Sequence, residues 1–352
     1  MKDEGLANAC ARVGIPCWGP VKESAQLEAS KEFAKEFLLR HRIPTGQARV
    51  AATLEEAQEF IGGVYPTVLK FDGLAAGKGV AVCMCREEAD AFLKEVFTDR
   101  RFGEGRLLVE EFLTGPEVSI FGALVDDHYL ILCPARDYKR LKEGDAGPNT
   151  GGMGVYSPVP EHLVSAEQLA AMVEIERRVV AELASEGITY SGCLYGGFML
   201  TEDGPKVLEF NARFGDPETQ VVLPLLESDL LTVMEATTNG TLDKTDVKFS
   251  DGAAACVILA SGGYPLAYEK GKEITGLTAG QLDTADVTVY HAGTAIKDGR
   301  LVTNGGRVLG VTATANTLPE ALKKAYAATE SIHFDKLHKR SDIGARALAA
   351  MQ

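Results

Sequence analysis

The chain has 352 residues, 45% of them hydrophobic and 24% charged, with mean hydropathy near zero and a formal net charge of −14. That length implies two or three domains with real cores, and the acidic balance excludes nonspecific nucleic-acid binding, which needs a basic face. No apolar run reaches the roughly eighteen residues that cross a bilayer, and the first residues lack a signal-peptide core, so no membrane partner is expected.

Seven cysteines, at 10, 17, 83, 85, 133, 193 and 256, are odd in number and contain no C-x-x-C pair. Reduced thiols in a cytoplasmic protein are the expectation. Residues 6–20 read as the end of a helix, a short strand over Val13–Trp18 and a break at Gly19-Pro20. Ser30 to Arg42 is an amphipathic helix with Phe33, Phe37 and Leu38 on one stripe, ended before Pro44. Thr53-Leu-Glu-Glu56 is a capping box opening a short helix to Ile61. Strands are expected over Thr67–Phe71, Gly79–Met84, Arg106–Leu113 and Glu117–Val125, interrupted by a helix from Arg86 to Phe97. Ser165 opens a long helix to Gly187, whose apolar side carries Leu169, Met172, Ile175, Val179 and Leu183. Cys193–Leu200 and Lys206–Asn211 form a hairpin about Glu202-Asp-Gly204. A helix over Asp229–Thr238, closed by Gly240, precedes a polar boundary at about 241–250. Strands Ala253–Ala260, Val287–Ala292 and Arg307–Thr314 follow, then a helix capped at Thr317 with Glu320.

Several stretches carry residues suited to chemistry. In Phe71-Asp-Gly-Leu-Ala-Ala-Gly-Lys-Gly-Val80, Gly73 and Gly77 bracket three residues where a P-loop has four, and Gly79 stands in place of its hydroxyl. The segment also joins two strands, so it is no P-loop. It reads either as a small-residue loop whose N–H groups close over phosphates, with Lys70 and Lys78 beside it, or as a plain turn. Glu110-Glu-Phe112 to Glu117 reads as a hinge whose extended backbone suits a purine edge and whose Glu117 suits ribose hydroxyls, or as a solvated acidic strand. Asp137-Tyr-Lys-Arg140 leads into Gly147-Pro-Asn-Thr-Gly-Gly-Met-Gly154, a basic patch before a glycine-rich loop. Lys139 and Arg140 there suit phosphate, unless they merely form a salt-bridged surface loop.

In Lys206-Val-Leu-Glu-Phe-Asn-Ala-Arg-Phe-Gly-Asp-Pro-Glu218, strand alternation puts Glu209 and Asn211 on one side and Phe210 on the other. Two hard oxygen ligands at that spacing suit Mg²⁺, which completes its sphere with phosphate and water. Arg213 could steady charge on a transferring phosphoryl group. His291-Ala-Gly293 and Asn304-Gly-Gly-Arg-Val308 leave two options each: His291 as acid–base or structural residue, Arg307 as anion contact or part of a hairpin turn.

Together with Gln26–Lys31, these stretches resemble phosphoribosylamine–glycine ligase (glycinamide ribonucleotide synthetase) of the ATP-grasp superfamily, in register from about residue 5 to the C-terminus. The resemblance implies an α+β ATP-grasp fold whose two subdomains clamp ATP, over residues 30–244 with a lid at about 46–115, and a smaller β-rich C-terminal domain at 245–352. Residues 1–29 would be the remnant of a largely absent N-terminal αβ domain, the rest supplied in cis or in trans. The implied reaction joins glycine to 5-phosphoribosylamine with cleavage of ATP, through glycyl phosphate. Glu209 and Asn211 would hold Mg²⁺ or Mn²⁺. Lys31, Lys70, Gly77, Lys78, Gly79, Glu110, Glu111, Phe112 and Glu117 would bind ATP. Arg213, Lys139 and Arg140 would serve catalysis, while Asp137, Asn149, Thr150, Gly151, Gly152, Asp216 and Arg307 would bind the other substrates. Arg136 and Tyr138 depart from the family's Gln-Asp-His-Lys-Arg pattern, which leaves an altered amine acceptor open. The absent domain leaves open an ATP-binding remnant without turnover.

Overall fold

The computed structural model describes residues 5–73, 79–125, 128–277 and 286–349. The chain forms two compact units, each built from separate stretches: Met1–Ile131, Ala166–Arg213 and Val233–Thr245 in the first, Leu132–Ser165, Phe214–Thr232 and Asp246–Gln352 in the second. Residues 132–165 and 214–232, which chain order alone assigns to the ATP-grasp region, thus pack with the C-terminal part.

The first unit holds two antiparallel sheets. One runs Ala48–Ala51, Leu107–Glu111, Thr67–Phe71, Val80–Cys83. Alternation along Thr67–Phe71 sends Leu69 and Phe71 into a core with Leu107 and Val109, sealed by helices Leu54–Ile61 and Arg86–Leu93 through Ala57, Ile61, Phe92 and Leu93. The same alternation turns Lys70 and Glu110 to the other face. Lys70 sits opposite Leu108, so Glu110 is its diagonal neighbour. The capping box forms as its sequence requires: Thr53 Oγ1 accepts from Glu56 N at 3.2 Å, and Glu56 Oε2 accepts from Ala52 N at 2.8 Å.

The other sheet of this unit pairs Glu117–Val125 with Ser191–Thr201 and that with Gly204–Asn211. Helix Ala166–Ser185 covers it, burying Met172, Val179 and Leu183 completely. Gly197 pairs with Glu209 but Phe198 pairs with Val207, so Leu208 is an extra residue at a bulge. Val13–Trp18, expected as a strand, is irregular: helix Leu6–Arg12 precedes it, and Val13 and Ile15 stay exposed. A strand needs a neighbour for its N–H and C=O groups, and no pairing involves these residues among the described ones.

The second unit is an antiparallel sheet of Gly154–Ser157, Ala253–Ser261, Arg307–Ala315 and Val287–His291, with Leu337–His338 on the last residues of Ala253–Ser261. All nine residues of Ala253–Ser261 are buried, matching their continuous apolar run. Helix Leu318–Thr329, capped by Thr317, closes one face through Leu322 and Ala325. Strands beyond those expected are the ten-residue His128–Asp137 and the short Ala48–Ala51, Gly154–Ser157 and the pairs Arg140–Lys142/Ala146–Asn149 and Thr294–Lys297/Arg300–Thr303.

In the first unit Glu176 is fully buried on helix Ala166–Ser185 and accepts from the Tyr129 hydroxyl. Burial pushes its carboxyl well above the ordinary range. Its folded pKa being raised, its contribution is favourable below the unfolded carboxyl pKa and is lost as pH rises toward the folded value. Glu176→Gln should therefore raise the urea midpoint at pH 8 and lose that advantage at pH 4. Equal midpoints for the two proteins at both pH values would contradict the burial argument.

Candidate active site

The bulge at Leu208 sets the geometry of the first unit's site. Val207 and Phe210 both enter the core, three positions apart, and the extra residue between them lets Glu209 stand exposed with Asn211 on the same side. Gly197 lies opposite Glu209. Arg213 Nη2 donates to Asn211 Oδ1 at 3.2 Å and its Nε to Glu28 Oε1 at 2.8 Å, while Glu28 Oε2 accepts from Ala212 N at 2.8 Å. Glu28 thus braces the backbone and the guanidinium together. It was not singled out in the sequence, although it lies within the Gln26–Lys31 stretch.

A second cluster faces the same strand. Lys70 Nζ lies 2.8 Å from Glu110 Oε2 and donates to Leu208 O at 3.0 Å. Lys35 Nζ lies 3.4 Å from Glu110 Oε1 and donates to Thr45 Oγ1 at 2.7 Å and Gly46 O at 3.2 Å; Thr45 in turn donates to Val207 O at 2.8 Å. Lys35, Lys70 and Glu110 are 5%, 7% and 6% exposed. Glu110 is therefore the shared counterion of two lysines rather than a carboxylate open to a nucleotide. Burial pushes the Lys35 ammonium down to about 8 against the pull of Glu110. Lys31, whose N–H donates to Asp72 Oδ1 at 2.6 Å and Nζ to Gly73 O at 3.1 Å, is also lowered by burial, opposed chiefly by Glu209 and Asp72. Lys31, Lys70 and Glu209 consequently share one electrostatic neighbourhood.

At the hinge, Glu111 N donates to Gln47 O at 2.8 Å and its carboxylate accepts from Gln47 N at 3.0 Å; Glu110 O accepts from Thr67 Oγ1 at 3.2 Å. The Glu111 N–H is thereby taken, so a purine edge that needs a backbone donor would have to find it further along, from Phe112 onward. Glu117 starts the strand opposite Met199. Gly79 is buried, its carbonyl accepting from Phe71 N at 2.7 Å. Gly77 and Lys78 lie outside the described residues.

The second unit collects the remaining predicted residues. Arg307 Nη1 donates to Gly151 O at 2.7 Å and Asp216 O at 2.8 Å, and its Nη2 to Asp216 Oδ2 at 2.8 Å. It is a strut between the glycine-rich loop and Asp216 rather than an open anion contact. Thr150 donates through N and Oγ1 to Lys139 O at 2.7 and 2.8 Å, and Gly152 N donates to Thr150 Oγ1 at 3.0 Å. Gly152, at φ +112°, packs against Pro217, where a Cβ would collide with the ring. Arg140 Nη1 donates to Gly147 O at 2.8 Å, Asn149 pairs with Arg140, and Asp137 pairs with Val155. His291 is exposed and bonded to Thr294 Oγ1 at 3.1 Å, while Gly293 and Gly305 serve close backbone approach.

Tyr138 is buried. Its hydroxyl accepts from Gly344 N at 2.9 Å and its ring lies 4.8 Å beneath the Arg340 guanidinium. Arg340, fully buried, donates to Arg140 O at 2.9 Å, Asp145 Oδ1 at 3.0 Å and both carboxylate oxygens of Asp342 at 2.7 Å. Nothing in the sequence marks Arg340, because Lys339-Arg-Ser-Asp342 looks like a solvated run.

No group of three or more His, Cys, Asp or Glu suited to a metal occurs among the described residues. The donor set at Glu209 and Asn211, two hard oxygens on one side of a strand, instead fits a Mg²⁺ site completed by phosphates; Asn211 Oδ1 keeps one lone pair beyond its bond to Arg213. No described helix is long and apolar enough to cross a membrane.

Comparison with known proteins follows the same lines. The family model of the phosphoribosylglycinamide synthetase ATP-grasp (A) domain matches residues 29–219, and that of the synthetase C domain matches 254–346. The chain is 45% identical over 345 residues to the phosphoribosylamine–glycine ligase of Caldanaerobacter subterraneus, covering 97% of this chain and 82% of that protein. It is 46% identical over 351 residues to the trifunctional purine biosynthetic protein adenosine-3 of Gallus gallus, of whose length it spans 35%. The crystal structure of phosphoribosylamine–glycine ligase from Thermotoga maritima superposes with a TM-score of 0.83 at 40% identity, over 92% of this chain and 81% of that one. The biotin carboxylase domain of Hydrogenobacter thermophilus 2-oxoglutarate carboxylase, solved with MgADP and bicarbonate, shares the fold at a TM-score of 0.73 and 18% identity, over 95% of this chain and 72% of that one. The chain belongs to the phosphoribosylglycinamide synthetase family and carries both its ATP-grasp domain and its C domain.

Proposed function

We propose that the chain ligates glycine to 5-phosphoribosylamine, cleaving ATP to ADP and phosphate through glycyl phosphate, as a step of purine biosynthesis in the cytoplasm. The observation that carries this reading is the clustering of Lys31, Lys70 and Glu209 in one unit with Asn211 and an Arg213 held by Glu28. Seven free thiols suit the reducing compartment.

Lys31 and Lys70 bind the ATP phosphates, and the segment from Phe112 to Glu117 takes adenine and ribose. Glu209 and Asn211 would hold Mg²⁺ or Mn²⁺, which would neutralise charge on the transferring phosphate. Arg213, held at Nε by Glu28 and at Nη2 by Asn211, places its positive charge beside that pair, where it steadies the charge that develops as phosphate moves to the glycine carboxylate. Asp137, Lys139, Arg140, Asn149, Thr150, Gly151 and Gly152 bind glycine and phosphoribosylamine, Lys139 and Arg140 meeting negative charge, while Arg307 and Asp216 hold the glycine-rich loop in place. The lid sheet excludes water from the acyl phosphate. Tyr138 is buried beneath Arg340 and offers an acceptor nothing, so it gives no ground for an altered specificity.

ADP release should require both glycine and phosphoribosylamine; release indifferent to glycine would overturn the assignment, and nucleotide binding without any turnover would mean an inactive remnant. Glu209→Gln should lower kcat on the order of 10²-fold or more, as losing one electrostatic contact to a transition state does, while leaving the melting temperature unchanged because the side chain is exposed. Arg213→Ala should cost about 10³-fold, the lower end for an arginine serving phosphoryl transfer. Full turnover by the arginine variant would remove it from the mechanism.

A further inference from the structure

Glu110 is a buried carboxylate with two ammonium partners, and only one of them has somewhere else to go. Lys70 lies on the strand leading to the Gly73–Gly79 segment and, on the reading above, turns toward a phosphate. Lys35 has all three donors engaged, to Glu110, Thr45 and Gly46, on a helix that holds it in place. We infer that Lys35 is a positioning residue for nucleotide binding: it keeps Glu110 charged and fixed when Lys70 leaves it for a phosphate. The inference rests on the proposed role of Lys70 but assigns a residue that makes no contact with nucleotide.

Without Lys35, the departure of Lys70 strands an unpaired charge in a buried site, which is strongly unfavourable. Lys35 also reaches the strand that carries Glu209. Through Thr45 it is linked to Val207 O, while Lys70 bonds to the next carbonyl, Leu208 O, at the bulge. When Lys70 gives up the Leu208 carbonyl, the Lys35–Thr45 link to Val207 O still holds the strand that directs Glu209.

A pH dependence follows. The groups facing Lys35 are Glu110 and Glu111 from Leu107–Glu111 and Lys70 from Thr67–Phe71; burial outweighs them and leaves the ammonium at about 8. Phosphate arriving at Lys70 adds negative charge and frees Glu110, and both changes favour protonated Lys35. Binding then takes up a proton above pH 8, and affinity falls as pH rises through that value, by up to about tenfold per unit.

The test is calorimetric titration of the full chain with MgADP at pH 7, 8 and 9, in buffers of different ionisation enthalpy, with melting curves for each variant. The wild type should take up protons between pH 8 and 9. Lys35→Arg, which cannot deprotonate in this range, should bind as the wild type does at pH 7 and lose part of the alkaline weakening. Lys35→Gln should bind at least about tenfold more weakly at pH 7. Wild-type titrations without proton uptake, an arginine variant with the full wild-type fall, or a folded glutamine variant binding at wild-type strength would each overturn the inference and leave the ligase reading standing. Failure of the wild type to bind MgADP at any pH would instead remove the nucleotide reading, and this inference with it.

Discussion

Two ammonium groups closed around one carboxylate, at Lys35, Lys70 and Glu110, are the constraint from which the first unit's site follows. All three are buried, so each was stripped of water, and desolvation of that kind is offset only by good geometry and hydrogen bonds to every remaining donor. Thr45, Gly46 and Leu208 supply those bonds. One positive charge remains in excess. In a chain whose overall charge is −14, a buried cationic surplus has little structural use, because a leucine or methionine of similar length would pack at lower cost. It is suited to an anion that comes and goes, and a polyphosphate beside Glu209 and Asn211 fits that demand.

The bulge at Leu208 connects this cluster to the face that carries Glu209 and Asn211. In an unbroken strand, side chains alternate strictly, and a core-facing Val207 would drive Glu209 into the core behind it. The extra residue resets the phase, so that Phe210 takes the next core position and Glu209 turns outward with Asn211. It also leaves the Leu208 carbonyl to accept from Lys70. A single inserted residue thus both aims the acidic ligand and anchors the lysine. Hydrophobic alternation from Phe210 onward revealed the outward pair in the sequence, but the bulge itself left no local signature, since it depends on pairing with Phe198 across the hairpin.

What the sequence disclosed and what it concealed divide along the same physical line. Capping boxes at Thr53 and Thr317, the long helix beginning after Ser165 and the apolar run Ala253–Ser261 are local, and the structure forms them near the expected limits. Val13–Trp18 has strand-like residues but no partner edge among the described ones, and pairing is not encoded locally. Charged residues were the hardest. Lys35 sits on a helix whose sequence suggests a lysine reaching to solvent, yet its counterion lies 75 positions away at Glu110. Arg340 lies in a polar run and is completely buried, with Asp145 a separation of 195 residues away. Whether such a side chain is solvated or enclosed is decided by what the fold brings to it, which neither periodicity nor composition records.

The two units also treat charge differently, and that difference bears on which of them recognises polyphosphate. In the second unit the guanidinium groups of Arg307 and Arg340 are neutralised within it: Arg307 by Asp216, and Arg340 by Asp145 and Asp342. Their role is to fix backbone, since Arg307 holds the Gly151 carbonyl and Arg340 the Arg140 carbonyl at either end of the same glycine-rich hairpin. A loop with so many glycines would otherwise lose its shape to conformational entropy. Rigid struts around a small, glycine-lined segment suit a compact substrate that must be oriented rather than a highly charged one that must be neutralised. The first unit's lysines, two of them sharing one carboxylate, suit the opposite task, and that contrast in charge is the physical basis for proposing the nucleotide there and the small substrates at the glycine-rich loop.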